Sequence, residues 1–206
     1  MVSWRGMEPA SNTDGRRKSV IAGAAALFDE GGYHRVNMAS LAEAVGIAKP
    51  TLYHYFSGKR EILFGIHEEF IDRLLGRYES RRGRAMTAAE DLRALIGDTF
   101  ELMDSHRGHL RVFFENQREL SDQDKATIRA KRDRYAEIMT STIARGVRDG
   151  EFRDVPPRLT ALAIFGMCNW AYQWYESDGE LASSEIADLF FDLIFAGLRP
   201  ASGGEQ

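Results

Sequence analysis

No segment of this 206-residue chain alternates apolar and polar residues with the period of a β-strand. Segment after segment instead repeats apolar side chains at i, i+3, i+4 and i+7, bounded by helix caps and glycines. Ile21, Ala24, Ala25 and Phe28 form one such stripe, and Gly31-Gly32 ends it. Asn37 is a good N-cap for a short second helix with Leu41, Ala42 and Val45 inward, and Gly46 stops it. A third short helix runs from about Lys49 to Tyr55, with Pro50 in its first turn, where the missing N–H costs nothing. A longer helix from near Gly58 carries Ile62, Leu63, Ile66, Phe70 and Leu74. Thr87 caps a helix with Leu92, Leu95, Ile96, Phe100 and Met103, and HLRVFFENQREL is a shorter one. Ser121 with Asp124 opens a long helix closed by Gly150. After Pro156-Pro157, residues 158–175 read as one apolar helix, and 184–198 as the last. The pattern predicts an all-α fold of about nine helices, with no internal repeat.

Charge divides the chain. Residues 1–60 hold 8 Lys+Arg against 5 Asp+Glu, a balance of +3; the remaining 19 and 26 give −7. A basic front on an acidic body suggests an anion-facing module joined to something else. The single cysteine, Cys168, excludes an internal disulfide and fits a reducing compartment. MVSWRGMEPASNTDG lacks the apolar core of a signal peptide, and no apolar run is long enough to span a bilayer, so the cytoplasm is the expected location. Residues 1–15 read as a flexible tail, 16–60 as the small module and 61–206 as the helical body.

GIAKPTLYHYFSGKREIL, residues 46–63, gives the module its purpose. It crowds hydroxyls, an imidazole and ammonium groups onto a short helix that a core would reject. Two short helices joined by a glycine turn form a helix-turn-helix, whose second helix lies in the DNA major groove. Lys49 and Thr51 stand near its start, within reach of base edges. Tyr53, His54 and Lys59 suit the phosphates, which set register. The DNA-contacting set is Asn37, Lys49, Pro50, Thr51, Tyr53, His54, Tyr55 and Lys59, while Leu52 and Phe56 hold the helix to its neighbours. A protein-interaction module is the competing class, but it would not need the Lys49–Lys59 chemistry.

VNMASLAEAVGIAKPTLYHYFSGKREIL also resembles the DNA-binding segment of TetR-family repressors. The match rests on Ala42, Gly46, Ile47, Thr51, Leu52, Tyr53, Tyr55, Phe56, Lys59 and Ile62 at uninterrupted spacing. Ala48 departs from a usual Ser or Thr, Gly58 from a usual Ser or Asn, and Asn37 from a usual Thr. The resemblance implies a homodimer on a palindromic double-stranded operator, with a ligand-binding and dimerising body and half-sites one or two helical turns apart, about 34–36 Å per turn. For the dimer interface it points to the last two helices, where Leu162, Phe165, Leu189, Phe190, Leu193, Ile194 and Gly197 make apolar faces.

Apolar pockets with few polar orienters suit small molecules. The body offers Phe100, Met103, Phe113, Phe114, Tyr135, Met139, Met167, Trp170 and Trp174 as lining, with Gln117 and Asn169 as polar members and Glu115, Asn116 and Gln173 nearby. HLRVFFENQREL and MCNWAYQWYESDGELASSEIADLF resemble the branch of the family that controls fatty-acid or steroid degradation and responds to acyl-coenzyme A. That resemblance implies cations for the nucleotide phosphates, and Arg107, Arg111 and Arg118 are the candidates. A planar lipophilic compound, such as an aromatic acid or a drug, is the second ligand class.

An enzyme is not expected. His106 and His109 lack further ligands to complete a metal site, Cys168 lies on an apolar helix without a neighbouring His, and no G-x-G-x-x-G or Walker motif occurs. No cofactor or metal is expected.

Overall fold

Helix caps and left-handed glycines set the element boundaries of the computed structural model, which describes the backbone over residues 10–200 and side chains over 13–200. The α-helices are α1 (Ala10–Gly31), α2 (Met38–Ala44), α3 (Lys49–Tyr55), α4 (Lys59–Arg81), α5 (Ala88–Ser105), α6 (Arg107–Glu115), α7 (Asp122–Arg148), α8 (Pro157–Trp170) and α9 (Ser183–Leu198). Short 3₁₀ turns cover 117–119 and 171–173, and there is no strand among the described residues.

Two expectations are corrected. Helix α1 begins at Ala10, so residues 10–15 are helix, not tail; an Asp14–Lys18 pair at 2.9 Å supports that first stretch. Residues 1–9 of the expected tail lie outside the described residues. The expected helix over 158–175 ends at Trp170 and tightens into a 3₁₀ turn.

The small module is built from local signals. The Asn37 carboxamide accepts from Ala39 N at 2.8 Å and Ser40 N at 3.1 Å, which starts α2. Gly46, at φ +66°, ends it. Its N–H reaches the Glu43 carbonyl at 3.1 Å and the Ile47 N–H reaches the Ala42 carbonyl at 3.0 Å, a Schellman closure. No side chain caps α3, because Ala48 has none to offer. The module is fastened to α4 by two cations. Arg17 donates to the Tyr55 carbonyl at 2.8 Å, pairs with Glu61 at 3.2 Å and lies over the Phe56 ring. Lys59, the second, binds the loop between α1 and α2.

Body and module share one buried core that runs from Val20 to Leu198. Helix α5 packs on α9, α7 on α8, and α4 on both α6 and α7. Helix α6 also lies on α1, so the body touches the module directly. That crossing depends on Gly108: a Cβ there would stand 2.9 Å from the Ala25 carbonyl oxygen. Thr87 and Glu90 form a reciprocal capping box at the start of α5. The Glu151 carboxylate accepts from Ala88 N and Ala89 N, each at 2.9 Å.

Candidate functional site

The exposed face of α3 is made by the residues that its own core cannot use. Leu52 is 0% exposed and Phe56 1%, so they set the helix orientation. Lys49, Pro50, Thr51, Tyr53 and His54 are then left facing outward. Lys49 with Tyr53, and Pro50 with His54, stand one turn apart and share edges of the helix. Tyr55 is half-buried, and its carbonyl is taken by Arg17. Asn37 is exposed with its carboxamide oxygen committed to capping α2.

Lys59 departs from its expected role. Its Nζ donates to the Tyr33 carbonyl at 2.7 Å and the Val36 carbonyl at 2.8 Å, and lies over the Tyr33 ring. Two of the three ammonium donors therefore tie the α1–α2 loop to α4, and one remains for a phosphate. Burial lowers the Lys59 pKa, with Glu119 opposing.

The body contains a cleft of about 340 Å³ between α4, α5, α6, α7 and α8. Its lining is Phe70, Ile71 and Leu74 of α4, Thr99 of α5, Phe113 and Phe114 of α6, then Arg129, Arg132, Asp133, Tyr135 and Ala136 of α7, and Leu162, Phe165 and Asn169 of α8. Arg129, Arg132 and Asp133 are exposed and form the solvent side. Thr99 Oγ1 donates to the Leu95 carbonyl at 3.2 Å, and Tyr135 Oη points at the same oxygen at 3.5 Å. Burial pushes the Tyr135 phenol pKa up, so it stays neutral.

Of the expected pocket residues, the cleft brings together Phe113, Phe114, Tyr135 and Asn169. Phe100, Met103 and Met139 are solid core instead. Gln117 sits in the 3₁₀ turn after α6, away from the lining. Met167, Trp170 and Trp174 are exposed and turn away from the cleft. Glu115, Asn116 and Gln173 do not line it either. Arg107 and Arg111 border only a crevice of about 10 Å³, Arg111 pairs with Asp29 at 3.1 Å, and Arg118 lines none of these hollows. Sequence reasoning missed Arg129 and Arg132, which look like an ordinary solvated face of α7.

The expected dimer face also divides. Leu189 is 58% exposed and Leu193 65%, Gly197 also faces outward, and Leu162 is exposed at the edge of the cleft that it helps to line. Ile194 turns into the core, Phe190 packs edge-on to Phe100, and Phe165 lines the cleft. Leu159 and Trp170 add exposed apolar surface on α8. Cys168 is buried, and burial pushes its thiol up to about 12, which leaves it inert. No group of three metal-ligating side chains occurs among the described residues.

Behind the cleft, His67 is 0% exposed. Its Nδ1 lies 3.0 Å from the Leu63 carbonyl and its ring 5.2 Å from that of Phe113. Burial pulls its pKa from 6.5 down to about 4, against the pull of the Leu63 and Phe113 carbonyls. A histidine depressed in the fold costs stability as pH drops below its unfolded value, and the loss is complete at the folded value. Between pH 6.5 and 4 this is worth about 3 kcal/mol, at about 1.4 kcal/mol per pH unit. Urea midpoints should fall across that window in the parent and stay flatter in His67→Leu; equal slopes would refute the assignment. Glu69 acts in a lower window. Burial alone would raise its carboxyl, but His109, 3.8 Å away, and the Arg73 guanidinium, which donates to it, hold it at about 2.

Comparison with known proteins decides what this pairing of exposed short helix and hollow body is. Residues 20–66 match the bacterial regulatory proteins of the tetR family, and residues 85–198 the tetracyclin repressor-like C-terminal domain. The chain belongs to the tetR family of bacterial regulatory proteins. It is a DNA-binding transcriptional regulator and not an enzyme. Dimerisation is typical of the family. It is 25% identical over 193 residues to the HTH-type transcriptional repressor KstR2 of Rhodococcus jostii, covering 93% of this chain and 95% of that protein. The structure of PfmR, a TetR-family regulator from Thermus thermophilus, is 31% identical with a TM-score of 0.81, over 88% of this chain and 99% of the other. AibR, solved in complex with isovaleryl coenzyme A and operator DNA, is 26% identical with a TM-score of 0.77, over 87% and 98%. No helix among the described residues is long and apolar enough to cross a membrane.

Proposed function

We propose that this regulator is a repressor that holds a palindromic operator through α3 and leaves it when an acyl-coenzyme A thioester enters the α4–α8 cleft. The observation that carries the reading is the cleft itself: an apolar, aromatic hollow with Arg129 and Arg132 on its solvent side. At about 340 Å³ it lies near the lower end of ligand sites and suits an acyl group better than a whole coenzyme. The nucleotide would stay outside, where guanidinium groups match phosphates with paired donors. The complex of AibR with isovaleryl coenzyme A supports the choice of ligand class. On the DNA side, Lys49, Thr51, Tyr53 and His54 supply the contacts, with the last proton of Lys59. The outward faces of α8 and α9, through Leu159, Leu162, Leu189 and Leu193, join two copies. The protein acts on DNA in the cytoplasm.

The signal passes from cleft to module by a short route. Phe113 lines the cleft on α6, and the start of α6 rests on α1 through Gly108. A ligand that favours a different setting of α6 therefore changes the spacing of the two reading heads. Release follows only if DNA and ligand prefer different settings.

Gel retardation on DNA upstream of its own gene tests this. Octanoyl-coenzyme A should release the fragment, while coenzyme A alone or octanoate alone should not. Reversing Arg129 and Arg132 together to Glu should raise the thioester concentration needed by about tenfold or more, with unchanged operator affinity. Unchanged retardation at saturating thioester would sink the reading. Release by an aryl carboxylate, insensitive to the arginines, would move the effector to the planar aromatic class.

A further inference from the structure

We infer that Asn169 selects effectors whose acyl group carries an oxygen function, a hydroxyl or an oxo group, over plain hydrocarbon chains. The inference rests on the acyl-thioester reading above and names which members of that class fit. Asn169 sits on α8 and lines the cleft among Phe113, Phe114 and Phe165. Its carboxamide makes no side-chain hydrogen bond among the described residues, and the residue is half-buried.

The other polar groups of the lining are already directed. Thr99 gives its proton to the Leu95 carbonyl, and Tyr135 aims its own at the same oxygen. Both keep lone pairs for accepting; the Thr99 proton is committed, while the Tyr135 contact, at 3.5 Å, is a weak one. Arg129, Arg132 and Asp133 are exposed on the solvent side. Within the apolar part of the lining, the Asn169 amide is therefore the group with free N–H donors, and it also carries an acceptor oxygen. In the open cleft water can serve it. An acyl chain that fills the cleft expels that water. A hydrocarbon then leaves the amide facing methylene groups, and a buried polar group without a partner is penalised. A hydroxyl or oxo oxygen restores the bond. A hydroxyl can in addition donate to the lone pairs of Thr99 or Tyr135.

A site built to bond an oxygen discriminates against the ligand that lacks it more strongly than an apolar pocket discriminates by size. For a half-buried amide the expected preference is about ten- to hundredfold. Isothermal titration of the full-length protein would use four thioesters of equal carbon number: octanoyl-, 3-hydroxyoctanoyl-, 3-oxooctanoyl- and 8-hydroxyoctanoyl-coenzyme A. The parent should bind at least one oxygenated member about tenfold or more tightly than octanoyl-coenzyme A. Asn169→Leu, similar in volume and apolar, should erase that preference while binding octanoyl-coenzyme A at least as well. Its melting curve checks that it folds.

A parent with no preference, or a preference that survives in Asn169→Leu, overturns the inference. Equal weakening of all four in the variant places the amide on the shared thioester carbonyl and overturns it too. If no thioester binds the parent, octanoyl-coenzyme A included, the acyl-thioester reading fails and takes this one with it. Binding of octanoyl-coenzyme A without discrimination leaves that reading standing and removes only the role of Asn169.

Discussion

Asp98→Ala is expected to destabilise the protein by about 3–5 kcal/mol, the range found when one partner of a buried ion pair is removed. Asp98 lies on α5, nearly buried, and its carboxylate meets Arg81 at 2.6 Å and Arg77 at 3.5 Å. Arg77 holds a second partner, Glu101, through Nη2 at 2.6 Å. Arg81 has no such reserve among the described residues, and its side chain is only 14% exposed. Losing Asp98 therefore strands a buried guanidinium, and that penalty dominates the loss of the pair itself. Glu101→Ala is the control. Its carboxylate is exposed, so removing it should cost about 1 kcal/mol or less by urea unfolding. A loss below about 1 kcal/mol in Asp98→Ala would mean that water reaches the pair and that the C-terminal end of α4 is not locked to α5 there.

How much of this could be read from the sequence follows from how local each signal is. Helices α2 and α3 and the turn between them depend on Asn37, Gly46 and Pro50, all within a few residues of the elements they shape, and their bounds are legible. The same holds for Thr87 and Ser121, which cap their helices as their spacing implies. The cleft is a different matter. Helical spacing marks Phe100, Met103 and Met139 as buried, and they are. It does not say whether a buried face meets another side chain or a hollow, because that depends on where four other helices stand. Arg129 and Arg132 fail for the converse reason. On one helix they are solvated charges, and they acquire meaning only when α4, α6 and α8 bring an apolar hollow to their foot.

Lys59 shows the same limit at the module. Its charge and position suggest a phosphate partner, whereas the carbonyls of Tyr33 and Val36 are brought to it by the turn after α1, 23 residues or more away in the chain. Tyr172 and Trp174 continue an apolar pattern past the end of α8, and no glycine or proline marks the change to a 3₁₀ turn.

Phe56→Ala should produce a loss of similar size, about 3–5 kcal/mol, because a fully buried aromatic leaves both lost transfer energy and a cavity. Phe56 terminates α3, with its N–H on the Leu52 carbonyl at 3.0 Å. Its ring is buried beneath the Arg17 guanidinium, 4.2 Å from the centroid. The position couples stability to function, since the only fully buried side chains that orient α3 are Leu52 and Phe56 among the described residues. Operator binding should therefore fall together with the urea midpoint. The exposed residues of the same helix give the contrast. Thr51→Ala should leave stability within about 0.5 kcal/mol, as for an ordinary surface change, and still weaken the operator complex. Lys49→Ala should do the same and lower the slope of log K against log salt by about one. If Phe56→Ala lost operator binding at unchanged stability, its ring would have to be a DNA contact, and α3 could not be anchored to the module through Leu52 and Phe56.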